Sequence, residues 1–298
     1  MSVSPSPSLS DVENYWQINL AGEAEVAYLA ANRKEFFDER DRQTRLLYPN
    51  LDENYGFAQA AGKLTLEVGC GMGYNSQRLA QSGARLVVLD LAQRAVLTTR
   101  ERFALRGLSA WFLVADVENL PFVGGGLDMV FASGVIHHSP STELAAHEII
   151  RVLRVQGKAT VMVYHRNSIW FWWNIVIVLG TLMLFLHNTP SGWLERILRA
   201  RPRWRDLVMP RGQRLSISDV IRSGTDFGGL RNPISRVYTR RQARALLSGL
   251  SGIQFVTEFN RFRALEEPVP LWVRSVRWMM AVVDRHWGWF LVIHGTKY

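Results

Sequence analysis

The sequence predicts an α/β fold, a doubly wound and mostly parallel sheet with helices on both faces, from three observations. Short apolar runs alternate with helix-length segments from Leu64 to Tyr164. The first run contains Glu67 and opens into Gly69, Gly71 and Gly73. Two later runs end on carboxylates, Asp90 and Asp116. Strands separated by helices of this length imply right-handed crossovers and parallel pairing. Such sheets bind ligands at the carboxyl ends of their strands, where these acids and glycines cluster.

In chain order, residues 1–10 are rich in Ser and Pro and lack a basic start and an apolar stretch, which suits a disordered tail and not a signal peptide. Residues 11–60 are expected to form a helical lid that begins at Tyr15 and Trp16 and contains a helix over 29–47 with Phe36 and Phe37 buried. The core spans residues 61–168. Its strands are predicted at 64–68, 85–89, 110–115, 127–132 and 158–164. Helices are predicted at 75–81, 93–106, where Val96, Leu97, Arg100, Phe103 and Ala104 follow helical spacing, and 142–153. An insert follows at 169–236, and residues 237–298 supply a last helix and two strands, 253–258 and 289–294. The expected total is seven strands with the last one antiparallel.

The bulk properties narrow the function. A chain of 298 residues with 48% hydrophobic content can bury a sizeable core as one domain with an insert. The single cysteine, Cys70, excludes an intramolecular disulfide and a cysteine-based zinc site, and no metal is expected. The formal charge is +9, and all but Lys34, Lys63, Lys158 and Lys297 of the basic residues are arginines. Arginine suits phosphates or an anionic membrane, and it is also what a GC-rich genome would encode. A cytoplasmic protein is the default expectation.

Glycines at 69, 71 and 73 let the chain turn sharply from strand to helix and leave the main chain open to a ligand. The geometry suits a nucleoside-bearing cofactor. A dehydrogenase-type fold would want a third spaced glycine where Tyr74 stands. Asp90 is placed to accept hydrogen bonds from both ribose hydroxyls. Asp116 and the backbone amide of Val117 are placed to meet an adenine amino group and a ring nitrogen.

These residues carry a resemblance. The runs Leu66-Glu-Val-Gly-Cys-Gly-Met-Gly73, Val88-Leu-Asp-Leu91, Ala115-Asp-Val-Glu-Asn-Leu-Pro-Phe122, Leu127 through His138 and Ile150-Arg-Val-Leu-Arg154 resemble class I S-adenosylmethionine-dependent methyltransferases. They are most similar to the bacterial branch around the ubiquinone and menaquinone biosynthesis enzymes. The resemblance covers about residues 64 to 168. It implies a Rossmann-like seven-stranded methyltransferase sheet and S-adenosyl-L-methionine as cofactor. It places the methionine moiety on Glu67, Gly69, Cys70, Gly71 and Gly73, the ribose on Asp90 beside Leu91, the adenine on Asp116 and Val117, and the cofactor's floor on Ser133. Two departures stand out. Val155, Gln156 and Gly157 replace a usual Pro-Gly-Gly turn, and Asn19-Leu-Ala-Gly22 replaces Asn-Pro-Cys-Gly in the lid.

Methyl transfer from a sulfonium is an in-line displacement served mainly by alignment and electrostatics. A base is needed when the acceptor arrives protonated, as a phenol, enol or ring carbon does. His137 and His138 follow the fourth strand and are the first candidates, and Tyr164 and His165, after the fifth, come next. Each has a plain packing alternative. Cys70 reads more simply as a small packed side chain.

Residues 169–186 carry no charge and include Trp170, Trp172 and Trp173, just enough length to span a bilayer. A single crossing would leave the last two strands on the wrong side of the membrane. The segment is therefore expected to cap a greasy acceptor site or to lie in a membrane interface, helped by Arg196, Arg199, Arg201, Arg203, Arg205, Arg211 and Arg214. Asp226 either reaches the acceptor pocket or caps a turn. The expected partner is a hydrophobic small molecule of quinone-precursor type, with peripheral contact to an anionic membrane. A non-catalytic subunit of a membrane-associated complex is the alternative. A nucleic-acid enzyme is disfavoured, because Ser133-Gly-Val-Ile stands where Asn/Asp-Pro-Pro-Tyr/Phe is usual.

Overall fold

A computed structural model describes residues 7–188, 215–225, 232–258, 283 and 286–298. Its centre is one sheet. Strands β1 (Leu64–Val68), β2 (Arg85–Asp90), β3 (Trp111–Val114), β4 (Leu127–Ser133) and β5 (Leu153–His165) are all parallel, and β7 (Leu250–Glu258) and β8 (Phe290–Lys297) complete the sheet antiparallel, in the order β3-β2-β1-β4-β5-β8-β7. Side chains alternate across it. Leu66, Val68, Val130, Ala132, Val161 and Val163 enter one apolar layer, while Leu86, Val88, Met129, Phe131 and Met162 enter the other. Each buried valine, leucine, methionine or phenylalanine among them contributes about 1.5–3 kcal/mol. The two layers explain why the strands read as unbroken hydrophobic runs.

An eighth strand, β6 (Val237–Tyr238), was not expected. It pairs in parallel with Tyr164 and His165 of β5. The cause is a length mismatch: β4 pairing ends at Met162, so the last residues of β5 have an open edge whose backbone groups need partners. β5 itself begins earlier than 158 and runs through the departure at 155–157. There Gln156 takes φ 62°, where the pairing of β5 with β4 shifts register.

The helices are α1 (Leu9–Ile18), α2 (Arg33–Leu47), α3 (Leu51–Tyr55), α4 (Tyr74–Gln81), α5 (Gln93–Arg106) and α6 (Thr142–Val152). Ser8 and Asp11 form a capping box that starts α1 at Leu9, within the stretch 1–10 expected as a tail, of which residues 1–6 lie outside the described residues. α2 begins at Arg33 and not at 29: Asn32 caps it by accepting from the Glu35 amide at 3.3 Å. Phe36 and Phe37 are buried as expected. The face of α5 is re-phased. Ala95, Val96, Thr99, Arg102 and Phe103 are buried, whereas Leu97, Arg100 and Ala104 point to solvent.

After β5 comes a continuous helical insert, a π-helix over Trp170–Leu179 running into α7 (Gly180–Asn188). α8 (Ile217–Thr225) packs against it. The approach is so close that a Cβ on Gly224 would lie 2.9 Å from both Ile175 and Leu179. Among the described residues no helix is long and apolar enough to cross a membrane. The arginines from 196 to 214 and Asp226 lie outside the described residues. A last helix, α9 (Arg240–Leu246), leads into β7.

Candidate active site

The turn after β1 is shaped by its glycines. Gly69, Gly71 and Gly73 have φ of 73°, 52° and 78°, a region closed to most side chains. A Cβ on Gly69 would sit 2.0 Å from Val135, whereas Gly71 faces open space. Asp90, at the end of β2, holds the turn in place. Its carboxylate accepts from the Gly71 amide at 3.1 Å and the Ala92 amide at 2.9 Å. Burial raises its pKa, and those two N–H groups pull it back down. Thr99 on α5 adds a bond to the Gly71 carbonyl at 3.2 Å.

Glu67 is fully buried and accepts a hydrogen bond from Ser76. Burial pushes its pKa up to about 8, so it is mostly protonated at neutral pH.

In front of the turn lies a cavity of about 300 Å³. Gly69, Cys70, Gly71, Asp90, Leu91, Asp116, Val117 and Ser133 border it on the side of the strand ends. Trp16 of α1, Tyr48, Tyr55, Met162, Tyr164 and Phe290 border it elsewhere, joined by His138. Asp116 is half-buried and accepts from the Glu118 amide at 2.9 Å, and burial raises its pKa. The donor set fits a nucleoside cofactor. Two carboxylates stand at adjacent strand ends, and Gly71 keeps the space before it free of a Cβ. The volume is at the lower end of the range for small-molecule sites.

Residues 65–157 match the family model for a methyltransferase domain. They form a methyltransferase domain. The methyl donor of this domain is S-adenosylmethionine.

A malonyl-(acyl-carrier protein) O-methyltransferase of Legionella pneumophila is 36% identical over 110 residues, 36% of this chain and 38% of the relative. A tRNA U34 carboxymethyltransferase of Alcanivorax borkumensis is 32% identical over 152 residues, 45% of this chain and 44% of the relative. The chain thus spans less than half the length of these two curated relatives. A chain from the complex between the Haloferax volcanii Trm112 methyltransferase activator and a methyltransferase aligns over 92% of this chain and 97% of its own. Its TM-score is 0.50 at 16% identity, a likeness of fold alone.

Against this domain the sequence-predicted residues divide. Eight of the cofactor candidates border the cavity. Glu67 and Gly73 do not: Glu67 braces α4 through Ser76, and Gly73 lets Thr99 pack close, a Cβ there lying 2.7 Å from its methyl. Cys70 is buried in the lining, and burial raises its thiol pKa.

Among the base candidates, His138 and Tyr164 border the cavity, and His137 and His165 do not. His137 is fully buried, with no hydrogen-bond partner for either ring nitrogen among the described residues, and burial drives its pKa well below the ordinary histidine value. It packs 4.2 Å from the His138 ring and 4.1 Å from Tyr164, centroid to centroid. This neutral ring backs the wall. His165 donates from Nδ1 to the Gly288 carbonyl at 3.0 Å, a bond that secures β5 to the chain entering β8.

Three supporting groups were missed. The Ile234 carbonyl accepts from His138 Nδ1 at 2.8 Å, which places the proton on Nδ1 and the lone pair on Nε2. Asn232, buried beneath it, accepts from the Ile234 amide at 3.1 Å and shapes that turn. Tyr55 bonds Ser133 at 3.0 Å.

Proposed function

We propose that the chain is an S-adenosylmethionine-dependent methyltransferase acting on a hydrophobic, lipid-like small molecule, a quinone-precursor type of acceptor methylated on carbon or oxygen. The observation that carries this reading is the continuity of one cavity, bordered by the glycine turn and its two carboxylates and also by Trp16, Tyr48, Tyr164 and Phe290. Polar groups that suit a nucleoside and aromatic walls that suit a flat apolar acceptor thus share one chamber.

The cofactor, when bound, supplies a methyl group activated by its sulfonium. Asp90 takes the ribose hydroxyls with lone pairs that Gly71 and Ala92 leave over, since a carboxylate has about four acceptor sites. Asp116 and Val117 hold the adenine, Leu91 packs against the nucleoside, and Ser133, fixed by Tyr55, forms the floor. Gly69, Cys70 and Gly71 accommodate the methionine part. His138 takes the acceptor's proton at Nε2 while Nδ1 keeps its own proton on the Ile234 carbonyl. Tyr164, stacked on Trp289 at 4.5 Å and 16°, orients the acceptor. Water is excluded by the apolar walls, which strengthens each of these polar contacts.

A tRNA acceptor is the second reading, favoured by the net charge of +9 and by the tRNA-modifying relative. One experiment separates the two. The protein is incubated with methyl-labelled cofactor and, in parallel, a cell lipid extract or total tRNA. Label in the lipid fraction alone is the expected result, and label in tRNA alone would overturn the small-molecule reading. Calorimetry completes the test: Asp90→Ala is expected to weaken cofactor binding by about 1–3 kcal/mol, the range for an orphaned buried polar contact. Unchanged affinity would remove Asp90 from the ribose site.

A further inference from the structure

The helical insert after β5 is apolar on both sides. Phe171, Ile175 and Met183 turn inward and pack with Val220 on Tyr164 and Trp289. The outward side carries Trp172 at 50% exposure, Trp173 at 60% and Phe185 at 58%, together with Ile177, Val178 and Leu184. No ionised side chain occurs from 169 to 186. A helix resting on a globular core normally turns charged and polar groups to water. An apolar outward face of this extent marks an interaction surface.

The charges around it identify the partner. Arg166 stands exposed just before the insert, its amide bonded to the Tyr238 carbonyl at 2.9 Å. Two residues past Tyr238, exposed Arg240 donates to the His286 carbonyl at 3.3 Å, next to half-exposed Trp287. In sequence, the insert is followed by Arg196, Arg199, Arg201, Arg203, Arg205, Arg211 and Arg214, opposed only by Glu195 and Asp206. Tryptophan rings settle at headgroup depth, and arginines pair with lipid phosphates.

We propose that the outward face of the insert docks on an anionic lipid bilayer, lying in the interface plane without crossing it. Both β7 and β8 come after the insert and β8 pairs with β5, so the chain enters and leaves the segment on one side. The inward face packs against Tyr164, which borders the cavity, so docking sets the acceptor chamber against the lipid phase. Only this last consequence rests on the methyltransferase reading.

The test is flotation of the full chain with vesicles of equimolar phosphatidylcholine and phosphatidylglycerol, and with phosphatidylcholine alone. Binding is expected to the anionic vesicles and to fall as salt rises, because the Debye length shrinks to about 3 Å at molar ionic strength. Trp172→Ser combined with Trp173→Ser is expected to lower the bound fraction at least tenfold, about 1.4 kcal/mol, with cofactor affinity unchanged by calorimetry. Ile177→Lys combined with Phe185→Lys provides a second, independent loss on the same face. Absence of flotation with either vesicle, or variants that float like the native chain, would overturn the proposal. So would a native dimer that these variants convert to monomer, since the face would then cover a second copy. Flotation without cofactor binding would sink the methyltransferase reading and leave the surface standing.

Discussion

Glu67 lies beneath the cofactor turn with its carboxyl on Ser76, and its proton is part of the fold. In the unfolded chain that proton leaves near pH 4.5, and in the folded protein it is held to about pH 8. Between those values the folded state binds more protons, so this group's contribution to stability is full below pH 4.5 and declines as pH rises through 8. Glu67→Gln keeps the shape without the titration. The gap in thermal midpoint between variant and native chain should move in the variant's favour from pH 5 to pH 8, and parallel midpoints would refute the assignment. His138 makes a different prediction. His138→Ala should cut turnover by about 10²–10⁴ on a protonated acceptor, the usual share of general acid–base catalysis. Cofactor affinity should hold, and undiminished turnover would remove the base. At this scale the strand-end side of the cavity was legible, because two acids in register with a glycine turn mark the place where it opens, and eight of the ten residues expected there border it. The opposite side was not: the Ile234 carbonyl that bonds His138 comes from a residue 96 positions away with no side-chain signature.

Among the elements, α5 shows most clearly what periodicity conveys. Its limits, Gln93–Arg106, were readable because Gly107 ends it in the left-handed conformation. Its buried face was not, because the residue at its centre is a cation. Arg102 is fully buried, paired with Asp41 of α2, and bonded to Gln77 of α4 at 2.8 Å and to the Met72 carbonyl in the cofactor turn at 3.1 Å. A hydrophobic pattern places such a residue on the surface. Its three partners come from three places in the chain, so only the assembled fold accounts for its burial. Removing one member of a buried pair typically costs about 3–5 kcal/mol, since the other charge is left without compensation. Arg102→Ala and Asp41→Ala should each lower the unfolding free energy measured in urea by that order, and the double variant should lose less than the sum. Additive losses would show that the two do not act as a unit. β6 illustrates the opposite limit: a two-residue strand has no pattern to read, and only the length of β5 beyond β4 calls for it.

For the molecule as a whole, α2 and α3 share one apolar layer with the sheet, since Phe36, Phe37, Leu51 and Tyr55 pack with Leu86, Val88 and Phe131, whereas of α1 only Trp16 packs against that layer. The core layers close without α1, whereas Leu9, Val12 and Trp16 of α1 border the cavity. The link is polar. Arg94 at the start of α5 donates to the Ile18 carbonyl at 2.8 Å and pairs with Glu23, Arg33 pairs with Glu101 at 2.8 Å, and Arg102 pairs with Asp41. The first two pairs are partly exposed, each worth at most about 1 kcal/mol, and α1 itself buries two side chains, Val12 and Tyr15. With Trp16 set edge-on 5.2 Å from His138, we propose that α1 serves to cover the chamber and not to hold the sheet. A chain starting at Asn19 should keep its sheet, with a circular dichroism spectrum that loses only the signal of one short helix. The open chamber should then admit water, and the contacts to the cofactor should weaken as the local dielectric rises. Affinity measured by calorimetry should fall at least tenfold, about 1.4 kcal/mol. If the truncated chain binds and turns over like the full one, α1 is a bystander and the chamber closes by other means. If it fails to fold, the clamp through α5 carries structural weight that these exposed ion pairs do not account for.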